Sequence, residues 1–208
     1  MKILLDQSTA VIFKRKLQYP KIEFGQFRTP LTQYKSGSYQ YILDNGAYSE
    51  FKESRYRNMV KKAKTDIFCD YIVLPDIVGD AKNTFELFSY WKNELDISSE
   101  KCAFVLQDGI NNEIMPNWDD FGCLFIGGTT EFKMSNLAYK IAKEAIQRGK
   151  HVHVGRVNST DRIVKWFDNC HTIDGSGISK FDHMLMKAVK TITECKKYKQ
   201  TKLYNFGG

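Results

Sequence analysis

Eight short apolar or β-branched runs recur along the chain, each closed by a turn-forming or polar residue and followed by a longer charged or amphipathic stretch. The runs are KILL (2–5), KIEFG (21–25), YQYILD (39–44), CDYIVLPD (69–76), CAFVLQD (102–108), CLFIGG (123–128), HVHVG (151–155) and HTID (171–174). Short apolar runs bounded by Gly, Asp, Asn or Pro read as buried strands. Between them, helical spacing predicts helices over 50–64, 81–95, 133–148, 159–169 and about 180–198. Gly149 supplies a stop, and Ser159, Thr160 and Asp161 are N-cap candidates. Strands that alternate with helices pair in parallel, and eight of them point to a compact (β/α)8 TIM barrel, with an open doubly wound sheet as the competitor. Such barrels typically need about 250 residues. A chain of 208 residues therefore predicts short loops and a missing or degenerate helix near 28–38. No repeat or linker interrupts the series, so a single domain over 1–208 is expected.

Composition narrows the function classes. With 42% hydrophobic and 26% charged residues, the chain can bury a sizeable core, which excludes disordered, collagen-like and disulfide-scaffold proteins. No stretch approaches the roughly 18 to 20 apolar residues of a membrane span, and the start, MKILLDQSTAVIFKRK, places Asp6 too early for a signal peptide. A soluble, cytoplasmic protein without a membrane partner is expected. The five cysteines are odd in number and form no CxxC pair, which reads as buried reduced thiols rather than a metal site. His151 and His153 alternate within an apolar run and suit a strand better than a ligand pair. The formal charge of +7 divides into +5 over residues 1–40, −3 over 41–179 and +5 over 180–208. Basic ends of this kind suit a polyanion, because Lys and Arg that neutralise phosphates release counterions.

In a parallel barrel the chemistry sits at the C-terminal ends of the strands, and the polar residues collect there. Asp44 ends YILD and leads into Asn45-Gly46-Ala47-Tyr48; Asp76 ends YIVLPD; Gln107 and Asp108 end AFVLQD. Gly127 and Gly128 follow CLFI, Gly155 and Arg156 follow HVHV, and Asp174 follows HTI ahead of Gly175-Ser176-Gly177. Taken singly, such residues cap helices or make turns. Acids on three different strands exceed what capping requires, whereas replacing a base on a sugar with retention requires at least two carboxylates. One attacks the anomeric carbon through an oxocarbenium-like transition state, and a second group moves protons to and from the base. Asp and Gln side chains with backbone N–H groups beside glycines can read the polar edge of a purine-sized heterocycle.

At these residues the sequence resembles the tRNA-guanine transglycosylase superfamily, and within it the phage members that insert 7-deazaguanines into DNA. The resemblance is carried by LDNGAY (43–48), LPDIVGD (74–80), FVLQDG (104–109), FIGG (125–128), VHVGRV (152–157) and TIDGS (172–176), in the family's order and over roughly residues 40–180. It implies a (β/α)8 barrel, with Asp174 as the nucleophile that forms a covalent link to the sugar and Asp44 as the acid/base. It implies further that Asp76 and Gln107 read the guanine or deazaguanine edge, with Gly127 and Gly128 closing the pocket. Asn45 falls among the small-residue contacts to the base, and Tyr48 is a candidate for stacking on it or for core packing.

The chain departs from the tRNA enzymes in reading Asn-Gly-Ala-Tyr after Asp44 where they have Ser-Gly-Gly-Phe, in its shorter length, and in lacking their zinc-binding cysteine triplet. The expected activity is therefore DNA-guanine transglycosylase, a base-exchanging pentosyltransferase that needs no cofactor or metal. Its partners would be DNA, single-stranded or base-flipped, and a free 7-deazaguanine such as 7-cyano-7-deazaguanine; its compartment would be the host cytoplasm if it is phage-encoded. Arg28, Arg156 and Lys180 are the candidates for contact with the nucleic-acid backbone. Exchange on tRNA, a hydrolase that releases the base to water, and a nucleic-acid-binding barrel without catalysis are the alternatives.

Overall fold

Successive residues of a strand point to opposite faces, and in this chain the two faces carry different side chains. The computed structural model, which describes residues 1–206, contains eight parallel strands: β1 (Lys2–Leu5), β2 (Phe24–Arg28), β3 (Tyr41–Leu43), β4 (Cys69–Val73), β5 (Cys102–Leu106), β6 (Cys123–Ile126), β7 (His151–Val154) and β8 (Thr172–Asp174). They pair in chain order, and β8 returns to β1 with Ile3 beside Ile173 and Leu4 beside Asp174. The sheet is thus a closed (β/α)8 barrel and not an open doubly wound sheet. Gly207 and Gly208, the end of the expected 1–208 span, lie outside the described residues.

The outward face of the strands supplies Ile3, Leu5, Phe24, Tyr41, Leu43, Phe104, Leu106, Leu124, Ile126, Val152 and Val154 to the main core. The inward face supplies Leu4, Phe27, Ile42, Val73, Ala103, Val105, Cys123 and Phe125, which fill the barrel. Fully burying one of the larger of these side chains stabilises the fold by about 1.5–3 kcal/mol. The small interior residues Ala103 and Cys123 leave room for Phe27 and Phe125, whose rings lie 6.4 Å apart, and for the His153 ring 4.6 Å from that of Phe125.

The helices are α1 (Thr9–Gln18), α2 (Glu53–Ala63), α3 (Ala81–Leu95), α4 (Thr130–Met134), α5 (Asn136–Gln147), α6 (Thr160–Trp166), α7 (Ser176–Lys180) and α8 (Asp182–Phe206). Short polar side chains start them. Asp80 accepts from the Asn83 N–H at the head of α3, and Ser159 accepts from the Arg162 N–H at the head of α6. The expected helix over 133–148 is two helices, because Ser135 adopts an extended backbone and caps α5 by accepting from the Ala138 N–H. No helix lies between β2 and β3, as expected, and only the 3-10 turn Trp118–Asp120 follows β5. Those two abbreviated crossovers are how eight β/α units fit into so few residues.

Helices α1 and α7 and strand β2 also differ from the sequence expectation, α7 being a short turn of helix ahead of the expected last helix. Helix α1 was not foreseen, because it buries only Ile12 and leaves Phe13 and Leu17 exposed, so no apolar stripe marks it. Strand β2 lies three residues further on than KIEFG. Its outward Gln26 is buried, donating to the carbonyls of Gln7, just after β1, and of Lys35, after β2. Cys69, Cys102, Cys123 and Cys170 are buried and unbridged, and burial pushes the thiols of Cys69, Cys102 and Cys170 up to about 12. Among the described residues no helix is long and apolar enough to cross a membrane.

Candidate functional site

The parity that sorts the barrel interior also aims the residues just beyond each strand. Two residues past an interior position the side chain faces the mouth, so Leu4 leads to Asp6, Ile42 to Asp44, Val105 to Gln107, Phe125 to Gly127, His153 to Gly155 and Thr172 to Asp174. All six line one cavity of about 450 Å³, together with Asn45, Tyr48, Asp76, Gly128, Lys133, Arg156 and Lys180. Phe27, Val73, Val105 and Phe125 form its apolar lining. A space of this size and character fits a small heterocycle and its sugar.

Asp76 is held from both sides. Asn45 Nδ2 donates to Asp76 Oδ1 at 2.7 Å and to the Leu74 carbonyl at 2.7 Å, and Gln107 Nε2 donates to Asp76 Oδ2 at 2.5 Å. Gln107 Oε1 accepts from the Gly79 N–H at 2.9 Å, and Asn45 Oδ1 accepts from the Ala47 N–H at 2.7 Å. Both amides are committed to protein partners, so they fix Asp76 in one orientation with a second lone pair on each oxygen still available. Gly127 is required beside this cluster, because a Cβ there would lie 2.7 Å from Val105 Cγ1 and 3.0 Å from Gln107 Nε2.

Asp44 and Asp174 occupy contrasting environments. Burial, followed by the charges of Asp174 and Asp76, pushes the Asp44 carboxyl up to about 8, although its Oδ2 accepts from the Gly46 N–H at 3.0 Å. Asp44 is therefore held protonated near neutral pH. Asp174, 7% exposed, has Oδ1 doubly satisfied: the Arg156 backbone N–H donates to it at 3.1 Å, and His153 Nε2 lies 3.0 Å away. Oδ2 accepts no hydrogen bond among the described residues, and Asp174 lines the cavity.

Arg156, whose N–H donates to Asp174, is left-handed, with φ 59°. That conformation is unfavourable for a side chain bearing a Cβ. It is held by the Val157 N–H donating to the Asp174 carbonyl at 2.7 Å and by Arg162 donating to the Arg156 carbonyl at 3.0 Å. The Arg156 guanidinium carbon then sits 3.3 Å from the centroid of the exposed Tyr48 ring. These residues follow β7 and β3, on opposite sides of the barrel, so the pair spans the mouth.

No protein-family model matches this chain, and no curated protein sequence does. Among solved structures it is similar to the Bacillus subtilis YkuI protein, with an EAL domain, in complex with substrate c-di-GMP and calcium, at 14% identity and a TM-score of 0.43. That match covers 92% of this chain and 52% of YkuI, so this chain spans about half its length.

The structure thus brings together Asp44, Asn45, Tyr48, Asp76, Gln107, Gly127, Gly128, Arg156, Asp174 and Lys180 around one cavity. Arg28 is a correction. Phe27 faces the barrel interior, so Arg28 points outward, where it is buried, donates to the Tyr34 carbonyl at 2.9 Å and packs over the Tyr41 ring. It is not presented to a nucleic-acid strand. Three residues of the site were missed. Asp6 continues KILL as the other strand-end acids continue theirs, and that signal could have found it. Burial pushes the Asp6 carboxyl up, and Thr32 Oγ1 donates to it at 2.6 Å. His153 was legible as a strand residue but not as the neighbour of Asp174. Lys133 read only as the start of the expected 133–148 helix and is 3% exposed.

Proposed function

We propose that this protein is a base-exchanging glycosyltransferase that removes guanine from a deoxyribonucleotide in DNA and installs a free 7-deazaguanine. The observation that carries the reading is the division of labour between two carboxyl groups lining one cavity: Asp44 is pushed up to about 8, while Asp174 has one oxygen held by two neighbours and the other without a hydrogen bond among the described residues. One acid and one aligned nucleophile are what substitution at an anomeric carbon with retention requires.

Asp174 Oδ2 attacks C1′ as the bond from C1′ to the guanine N9 breaks, and Asp44 gives its proton to the departing guanine. The product is an aspartyl-deoxyribose ester. The incoming base then loses its N9 proton to the Asp44 carboxylate as N9 attacks C1′ and Asp174 departs. Both carboxyl groups return to their starting states, and two inversions give net retention. Asp76, clamped by Asn45 and Gln107, accepts from the adjacent N–H donors of the guanine edge, which old and new bases share.

The resemblance to the transglycosylase superfamily supports this assignment, and the lack of the tRNA enzymes' zinc-binding cysteine triplet together with the LDNGAY segment favours DNA over tRNA. A base stacked in a duplex cannot present C1′ to Asp174, so the substrate is single-stranded or extruded. Incubating the protein with DNA or tRNA and isotope-labelled 7-cyano-7-deazaguanine, followed by nucleoside mass spectrometry, tests the reading. Label in DNA supports it, label only in tRNA overturns the choice of substrate, and guanine release without label overturns base exchange.

A further inference from the structure

Lys133 is the least expected group in the cavity wall. It lies on α4, a five-residue helix, and is 3% exposed. Its ammonium makes no hydrogen bond or ion pair among the described residues, yet it lines the cavity, so the cavity is where a partner can reach it. Buried cations are ordinarily paired. Here burial and the neighbouring Arg156 and Arg162 charges push the ammonium down to about 8, while Asp174 and Asp108 act in the opposite direction. Neither acid closes a salt bridge with it. Asp108 is occupied by the Thr129 N–H and hydroxyl, and Asp174 Oδ1 by His153 and Arg156.

A second cation acts on this wall. Arg156 follows β7, next to the β6 strand that leads to Lys133, and its charge bears on the Lys133 ammonium, while its guanidinium reaches across the mouth to Tyr48.

We infer that Lys133, with Arg156, forms a phosphate subsite in the cavity wall, which takes a phosphodiester group of the strand whose sugar lies at Asp174. The subsite stands on the unpartnered Lys133 ammonium at the cavity and the Arg156 charge near it; only the identity of its ligand as a DNA strand rests on the proposed function.

Three variants test this: Lys133→Met, Lys133→Gln and Lys133→Arg. In the absence of ligand, Lys133→Met should melt at or above the wild-type temperature, because it removes an unpaired charge. Inorganic phosphate should raise the melting temperature of the wild type and of Lys133→Arg but not of Lys133→Met or Lys133→Gln. Short single-stranded oligodeoxynucleotides should bind Lys133→Met and Lys133→Gln at least tenfold more weakly than wild type. The slope of log affinity against log salt should flatten by about 0.7, the loss of one phosphate contact on a single strand. Unchanged affinity and slope in both variants, or a Lys133→Met protein that no longer folds, would overturn the subsite. A response to inorganic phosphate without any response to the oligonucleotide overturns the strand as its ligand. Base exchange with normal kinetics in a variant that has lost no phosphate binding removes the subsite and leaves the proposed function standing. Phosphate binding that depends on Lys133 in a protein that exchanges no base does the reverse.

Discussion

His153 lies inside the barrel beneath Asp174, its Nε2 3.0 Å from Asp174 Oδ1, and its other ring nitrogen is 2.9 Å from Thr172 Oγ1. The same hydroxyl is 2.8 Å from His151 Nε2. For the His153 tautomer that donates Nε2–H to the Asp174 oxygen, the direction of every bond follows. His153 Nε2–H donates to Asp174, the Thr172 hydroxyl donates to His153 Nδ1, and His151 Nε2–H donates to Thr172. Burial, then the neighbouring His171 and His153, pushes His151 down to about 3, which keeps it in the neutral form this chain needs. The His153 ring is further fixed by stacking on Phe27, at 5.5 Å and 7° between planes.

His153 is accordingly a positioning residue. Replacing it with Phe preserves the packing against Phe27 and Phe125 but removes one donor from Asp174 Oδ1. A hydrogen bond to a charged group contributes about 1.5–3 kcal/mol, so kcat should fall about 10- to 100-fold. KM for the free base should hardly change, because Asp76 is untouched. Steady-state kinetics alongside circular dichroism separate this from a folding defect, which would lower the active fraction without altering the pH profile of what remains.

Asp44 sets the pH dependence. Base departure needs its proton, so that step should slow as pH rises through about 8. Because the Asp174 charge contributes to the upward shift, Asp174→Asn should lower the Asp44 midpoint, which NMR titration of the carboxyl would detect. Stability follows the same linkage. The group ionises near 3.8 in an unfolded chain and near 8 in the fold. The folded state therefore holds the proton more tightly, and its stability declines as pH rises across that window. Asp44→Asn should flatten the decline in urea melts.

The orientation of Asp76 depends on Asn45. Asn45→Ala removes the donor to Asp76 Oδ1 and leaves the buried Leu74 carbonyl without its side-chain partner. The expected result is about a tenfold rise in KM for the free base, corresponding to about 1.4 kcal/mol of lost binding, with a smaller change in kcat.

Close packing at the mouth leaves little freedom for change. A Cβ on Gly155 would lie 2.6 Å from Phe125 Cε1 and 3.6 Å from Asp174 Oδ1. Overpacking of this kind typically costs about 1–3 kcal/mol. Gly155→Ala should lower the melting temperature by about 2–12 °C for a domain of this size, as calorimetry would measure.

Much of the site was legible because strand parity and strand ends are both sequence features. Asp44, Gln107, Gly127 and Asp174 each stand two residues beyond an interior position, and recurrence distinguished them from caps. What escaped depended on tertiary context. A lysine in an amphipathic segment reads as solvent-facing, and nothing local says that Ser135 ends α4 early and leaves Lys133 inside the mouth. His153 carries no mark in HVHV of the aspartate two residues into the neighbouring strand's register. Arg28 was misplaced because the β2 segment was read three residues too early, which hid the parity that turns its side chain outward. The barrel itself was visible in the rhythm of runs, whereas α1, with one buried residue, was not.

The central claim is that Asp174 Oδ2 bonds to the sugar while the base is exchanged. Its most direct test is to quench the protein with a guanine-containing oligodeoxynucleotide under denaturing conditions, digest it, and map the modified peptide by mass spectrometry. An adduct on Asp174, absent from Asp174→Asn and discharged by added 7-deazaguanine, is the result predicted. An adduct mapped to Asp44 or Asp6, or an adduct that survives in Asp174→Asn, would contradict it.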